Sequence, residues 1–135
     1  MRKTHPENLC RWIALKGVPR VGNILFKKLI DRFETPENVF SAPVKQLCEV
    51  EGISQSLAAK IKSCKISGGV ESEVARALEK GFEIVVYSDD LYPPLLRQIP
   101  DPPPYLYVSG DLDPKGGHIG VVGSRNPTGY GASNA

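Results

Sequence analysis

The chain has 135 residues, 41% of them hydrophobic and 24% charged, with a net charge of +2. That length allows one ordinary domain or two very small ones, and the composition is that of a soluble globular protein. No apolar run approaches the roughly 18 residues that a membrane crossing needs. The N-terminus, Met1-Arg2-Lys3-Thr4-His5-Pro6, carries charge with no apolar stretch behind it, which argues against a secretory signal.

The first 80 residues read as helices. Asn8 to Lys16 places Leu9, Trp12, Ile13 and Leu15 at helical spacing, and a turn follows at Gly17-Val18-Pro19-Arg20. Val21 to Phe33 is amphipathic, with Val21, Ile24, Leu25, Leu29 and Phe33 on one face and Lys27, Lys28, Asp31 and Arg32 opposite. Pro36 and Pro43 each stand at the start of a short helix. Glu51-Gly52 is a turn. Ser54 or Ser56 caps a helix to about Cys64 that buries Leu57, Ala58 and Ile61. Ser67-Gly68-Gly69 breaks it. A last helix, Val70 to Lys80, turns Val70, Val74, Ala75 and Leu78 inward and stops at Gly81.

The period then switches from helical to strand-like, which sets a domain boundary near Gly81 and gives units 1–80 and 81–135. Residues 82–87 form an apolar strand, and 88–104 form a proline-rich loop. Strands follow at 105–108 and 118–122. Residues 1–80 hold 14 Lys/Arg against 9 Asp/Glu, and residues 81–135 hold 3 against 6. The basic character therefore lies in the first unit, where a polyanion partner and a solvated helix surface both account for it.

Cys10, Cys48 and Cys64 are odd in number and form no C-x-x-C pair. Neither a disulfide framework nor a zinc site is expected, and free thiols fit a reducing cytoplasm. His5 and His118 stand alone, and no metal is expected.

Two turns match each other. Pro19-Arg20-Val21-Gly22 and Glu51-Gly52-Ile53-Ser54 lie 32 residues apart, each between amphipathic helices. Both resemble the helix-hairpin-helix turn, apolar-Pro-Gly-apolar-Gly, whose second helix opens with uncovered N–H groups that hold a DNA phosphate without reading a base. Each copy keeps one glycine, Gly22 in the first and Gly52 in the second. Arg20 and Ser54 occupy the other glycine positions. Two readings stand: Arg20, Gly22, Gly52 and Ser54 contact DNA, or the hairpins serve packing and partner docking.

The strand at 118–122 runs into Gly123-Ser124-Arg125-Asn126-Pro127-Thr128-Gly129-Tyr130-Gly131. A strand, a glycine-rich loop and then a helix is the arrangement in which Rossmann-like sheets bind phosphate. The loop lacks the Gly-Lys-Ser/Thr of a P-loop and the spacing of a dinucleotide fingerprint. Ser124, Thr128 and Arg125 offer two hydroxyls and a bidentate guanidinium. A tight turn bearing a surface arginine is the alternative.

The run from Ser88-Asp89-Asp90-Leu91-Tyr92-Pro93-Pro94 through Asp101-Pro102-Pro103-Pro104-Tyr105-Leu106-Tyr107-Val108-Ser109-Gly110 resembles the DNA-processing protein A (DprA/Smf) family. So does Ile119-Gly120-Val121-Val122-Gly123-Ser124-Arg125, continued by Pro127-Thr128-Gly129-Tyr130-Gly131. The resemblance implies an α/β chain: an all-α SAM-like helix-hairpin-helix domain followed by the truncated start of a Rossmann-like domain. It implies a non-enzymatic single-stranded-DNA-binding recombination mediator that needs no cofactor and loads the RecA recombinase during natural transformation. Family members dimerise through the complete Rossmann domain. Gly123, Ser124, Arg125, Thr128, Tyr130 and Gly131 match the loop that lines the family's DNA pocket, with Arg125 as the strongest phosphate contact. Tyr130 stacks on a base or packs under the loop, the latter being the stronger expectation. The chain ends where the first Rossmann helix should begin, so it reads as the N-terminal part of a longer protein, and poor order is expected over residues 81–135, where strands lack crossover helices to cover them. Two other classes compete: an interaction module without DNA binding, and a Rossmann-like nucleotide hydrolase fragment. The hydrolase reading lacks the later glycine-rich motif with its glutamate.

Overall fold

A computed structural model describes residues 4–134, and the outer ends of the two expected units, residues 1–3 and 135, lie outside it. Among the described residues, the elements run α1 (Pro6–Gly17), α2 (Asn23–Phe33), α3 (Pro36–Ser41), α4 (Val44–Leu47), α5 (Gln55–Ser63), α6 (Gly68–Glu79), β1 (Glu83–Val86), α7 (Pro94–Arg97), β2 (Tyr105–Val108) and α8 (Gly129–Asn134). A helical N-terminal part thus precedes the start of an α/β part, as the sequence indicated.

Local chemistry explains three of the helix starts among the described residues. The hydroxyls of Thr35, Ser54 and Ser67 accept from the N–H groups of Asn38, Leu57 and Val70 at 3.2, 3.1 and 3.3 Å. Each bond satisfies a donor that the first helical turn leaves open. Of the two candidate caps before α5, Ser54 is therefore the one used. Ser67-Gly68-Gly69 does more than break the preceding helix, because Ser67 caps α6 and the two glycines enter its first turn. At the other end of α6, Gly81 takes φ +79°, and the N–H groups of Gly81 and Phe82 close on the carbonyls of Leu78 and Ala77 at 3.0 Å each. That pairing is a Schellman stop, and it turns the chain into β1.

The core gathers Leu9, Trp12, Ile13 and Leu15 from α1, with Trp12 stacked at a tilt on Phe26 of α2, their ring centroids 5.4 Å apart. On α2 the buried set is Phe26, Leu29 and Ile30, whereas Ile24 is 53% exposed. Of the apolar face expected through Val21, Ile24, Leu25, Leu29 and Phe33, all but Ile24 are buried or packed against the core, and Phe26 and Ile30 join them. On α6 only Val74 is fully buried, and Leu78 points outward.

β1 and β2 pair antiparallel, with Glu83 opposite Val108 and Val86 opposite Tyr105. Ile84 and Val86 join the helical core, so one apolar cluster crosses residue 81. The proline-rich stretch between the strands folds around Tyr92, which is fully buried and donates its hydroxyl to the Pro103 carbonyl at 2.7 Å. The Arg97 guanidinium lies over the rings of Tyr87 and Tyr92, 5.6 and 5.5 Å from their centroids, and donates to the Asp89 carbonyl at 2.7 Å. Asp89 in turn accepts from the Val86 N–H and the Thr4 hydroxyl.

The strand expected at 118–122 does not form among the described residues. Its apolar side chains stand in solvent, Ile119 at 92% and Val122 at 96% exposure. A strand needs a neighbour to take its backbone hydrogen bonds, and none is beside it. Residues 83–108, by contrast, are ordered against the helices, where Ile84, Val86 and Tyr105 join the core.

Candidate nucleic-acid interface

The two matching turns share one backbone. In the first, the Val21 N–H closes on the Val18 carbonyl at 3.0 Å; in the second, the Ile53 N–H closes on the Val50 carbonyl at 3.0 Å. Arg20 and Gly52 occupy the same left-handed position, at φ +76° and +96°. Gly22 and Ser54 occupy the same N-cap position, with φ/ψ of −83°/178° and −82°/164°. The alternation of Gly and non-Gly between the copies therefore has a local logic. The left-handed position prefers glycine, while the cap position accepts glycine or serine alike.

The equivalence ends at the side chains. Gly22 supplies no side-chain cap, so the α2 N-terminus keeps its first N–H groups uncovered. Ser54 covers its own helix. Arg20 is exposed, and among the described residues nothing engages its side chain. The second turn is occupied by contacts to α2. A Cβ on Gly52 would lie 2.8 Å from Leu25 Cδ2. Glu51 Oε2 pairs with Lys28 Nζ at 2.8 Å, and Glu49 Oε2 pairs with Arg32 Nη2 at 2.9 Å. The Lys28 ammonium bonded to Glu51 holds that carboxyl below the usual range.

The first turn also touches the proline-rich stretch, where Asn23 Nδ2 donates to the Asp101 carbonyl at 3.3 Å. Hydrogen bonds within 113–134 stay local. The Asn126 N–H donates to Ser124 Oγ at 3.2 Å, and the Gly131 N–H donates to Thr128 Oγ1 at 3.1 Å. Thr128 thus opens α8, which begins at Gly129, inside the stretch expected as loop. Gly123, Ser124, Arg125, Thr128, Tyr130 and Gly131 are all exposed. Tyr130 is 81% exposed, which overturns the expectation that it packs under the loop. The structure unites Arg20 and Gly22 with Gly52 and Ser54 through the contact of α2 with the second turn, and it leaves the glycine-rich loop apart from them.

The pairs Lys28–Glu51 and Arg32–Glu49 were not legible in the sequence. Their partners lie 23 and 17 residues apart, and no local periodicity links them. Burial pushes the thiols of Cys10 and Cys64 up, which favours their protonated form.

Two family models match separate stretches of the chain. The family model for DNA recombination-mediator protein A matches residues 83–135. The model for the SAM-like helix-hairpin-helix tandem matches residues 13–64, which contain both turns. Protein Smf of Synechocystis sp. is 34% identical over 126 residues, 90% of this chain and 32% of its own length. The DNA processing protein DprA of Bacillus subtilis (strain 168) is 46% identical over 55 residues, 39% of this chain and 18% of its own. The chain thus spans a third or less of the length of these curated relatives. No solved structure matches it. Two equivalent hairpin turns, the proline-rich stretch around Tyr92 and the loop into α8 all coincide with the matched regions, and the chain belongs to the DNA-processing protein A (DprA/Smf) family.

Proposed function

We propose that this chain supplies part of the single-stranded-DNA-binding surface of a recombination mediator, and that its first hairpin, rather than its second, takes the phosphate. The observation that carries this reading is the contrast between the turns. The first joins an uncapped 11-residue helix to an unengaged arginine held in the left-handed region. Non-glycine residues rarely hold that conformation without a compensating role. The second turn is capped by Ser54 and occupied by Leu25, Lys28 and Arg32, and there the packing reading is the better one.

The loop Gly123-Ser124-Arg125 with Thr128, Tyr130 and Gly131 is the second proposed contact. Its exposure leaves Arg125 free to fork onto a phosphate and Tyr130 free to stack on a base. Loading of the RecA recombinase, dimerisation, a cytoplasmic location and the absence of a catalytic step are carried over from family resemblance to the longer protein. The division into two units near Gly81 is part of the same reading.

Fluorescence anisotropy of labelled single- and double-stranded oligonucleotides across a salt titration tests it. Single-strand affinity should fall steeply with salt. Arg125→Ala and Arg20→Gln should each weaken it by about 1–3 kcal/mol, the scale of a charge-assisted hydrogen bond. Unchanged affinity in both variants would rule out both contacts.

A further inference from the structure

Helix α2 carries cations that its N-terminal turn does not use. Ile24, Lys28 and Arg32 recur every four residues and so form one ridge along the helix. Ile24 is 53% exposed, which places that ridge toward solvent. Measured from the cap Gly22, Lys28 and Arg32 lie roughly 9 and 15 Å along the helix axis. Both are held by the second hairpin, Lys28 by Glu51 in its turn and Arg32 by Glu49 just before it, at 2.8 and 2.9 Å. The pairs are open to water, with the Glu51 side chain 91% and the Arg32 side chain 56% exposed. Ion pairs in that setting are weak and screened by salt. Carboxylate and phosphate oxygens also offer the same acceptors to an ammonium or a guanidinium.

We infer that Lys28 and Arg32 form a second phosphate-binding strip for nucleic acid, continuing from the first hairpin along α2, and that Glu49 and Glu51 mask it as internal competitors. A strand leaving the first turn along the ridge meets Lys28 and then Arg32, and its phosphates displace the two carboxylates. The displacement costs little because the pairs are exposed. The second hairpin, too occupied to bind phosphate itself, then sets how many phosphates the first hairpin's helix holds. The inference rests on the reading that the first hairpin binds a DNA backbone.

The test is anisotropy of a labelled 20-nucleotide oligo(dT) with the full chain, wild type against Glu49→Gln/Glu51→Gln, across a KCl titration. Glutamine keeps the shape and removes the charge, and circular dichroism confirms that the helices persist. The double variant should bind about tenfold tighter at 0.1 M salt, with a log–log salt slope steeper by about 1.4, as two added contacts on a single strand require. Adding Lys28→Gln and Arg32→Gln should abolish the gain. Unchanged affinity and slope overturn the inference, as does a gain that survives loss of both cations. Absence of binding by both the wild type and the folded double variant overturns it as well. If Arg20→Gln leaves affinity intact while the double variant still gains, the first-hairpin reading falls and the strip stands.

Discussion

Arg20 and Gly52 hold the same left-handed backbone position in two turns 32 residues apart, one as a long cation in solvent and the other as a glycine pressed against Leu25. The repeat is therefore symmetric in its backbone and asymmetric in its work.

Replacing Arg20 separates those two aspects. Arg20→Gly should relieve the left-handed strain and raise stability by about 0.5–1 kcal/mol. The same change should weaken single-strand binding. Urea unfolding and anisotropy on one preparation check both, and a variant that is more stable yet binds unchanged would leave Arg20 with no role in contact.

Gly52→Ala meets two obstacles, a φ of +96° and the Leu25 methyl 2.8 Å from the new Cβ. A loss of about 1–3 kcal/mol is expected, seen as a lower urea midpoint. Gly22→Ala at the equivalent turn has open space and an ordinary extended φ, so only the modest loss of a glycine cap applies.

The two caps can be traded. Ser54→Ala removes the bond to the Leu57 N–H and should cost about 1 kcal/mol. Gly22→Asp should cap α2, adding up to about 1 kcal/mol of stability, while placing a carboxylate where a phosphate would sit. Affinity for single strands should then fall as stability rises; equal or tighter binding would place the phosphate elsewhere.

Burial raises the Tyr92 hydroxyl to about 12, and burial together with the bond to Glu73 raises Tyr107. An unfolded tyrosine loses its proton near pH 10. Between pH 10 and 12 the folded state therefore holds more protons than the unfolded one, and stability falls as pH rises. The Tyr92 contribution is complete below pH 10 and declines by about 1–2 kcal/mol toward pH 12. Tyr92→Phe should be less stable at pH 8, lacking the bond to the Pro103 carbonyl, and should show a shallower loss across that window. Parallel pH profiles for the two proteins would count against the assignment.

The sequence by itself determined the helical series, the tandem turns and the short strands at β1 and β2. These follow from periodicity, capping residues and turn chemistry, which act over a few neighbouring residues. Its pattern around Tyr92 and the glycine-rich loop also carried the family resemblance. Tertiary structure alone decided that Phe26 joins the buried face of α2, because it meets Trp12 of another helix. It decided that the proline-rich stretch closes on a buried tyrosine, since Tyr92 and Pro103 meet only when the chain folds back. It also left 118–122 unpaired, although its residues favour a strand, because strand formation depends on a neighbour that sequence composition does not supply. The masking of Lys28 and Arg32 belongs to the same class: an ion pair between residues 17 or 23 positions apart exists only once two hairpins dock.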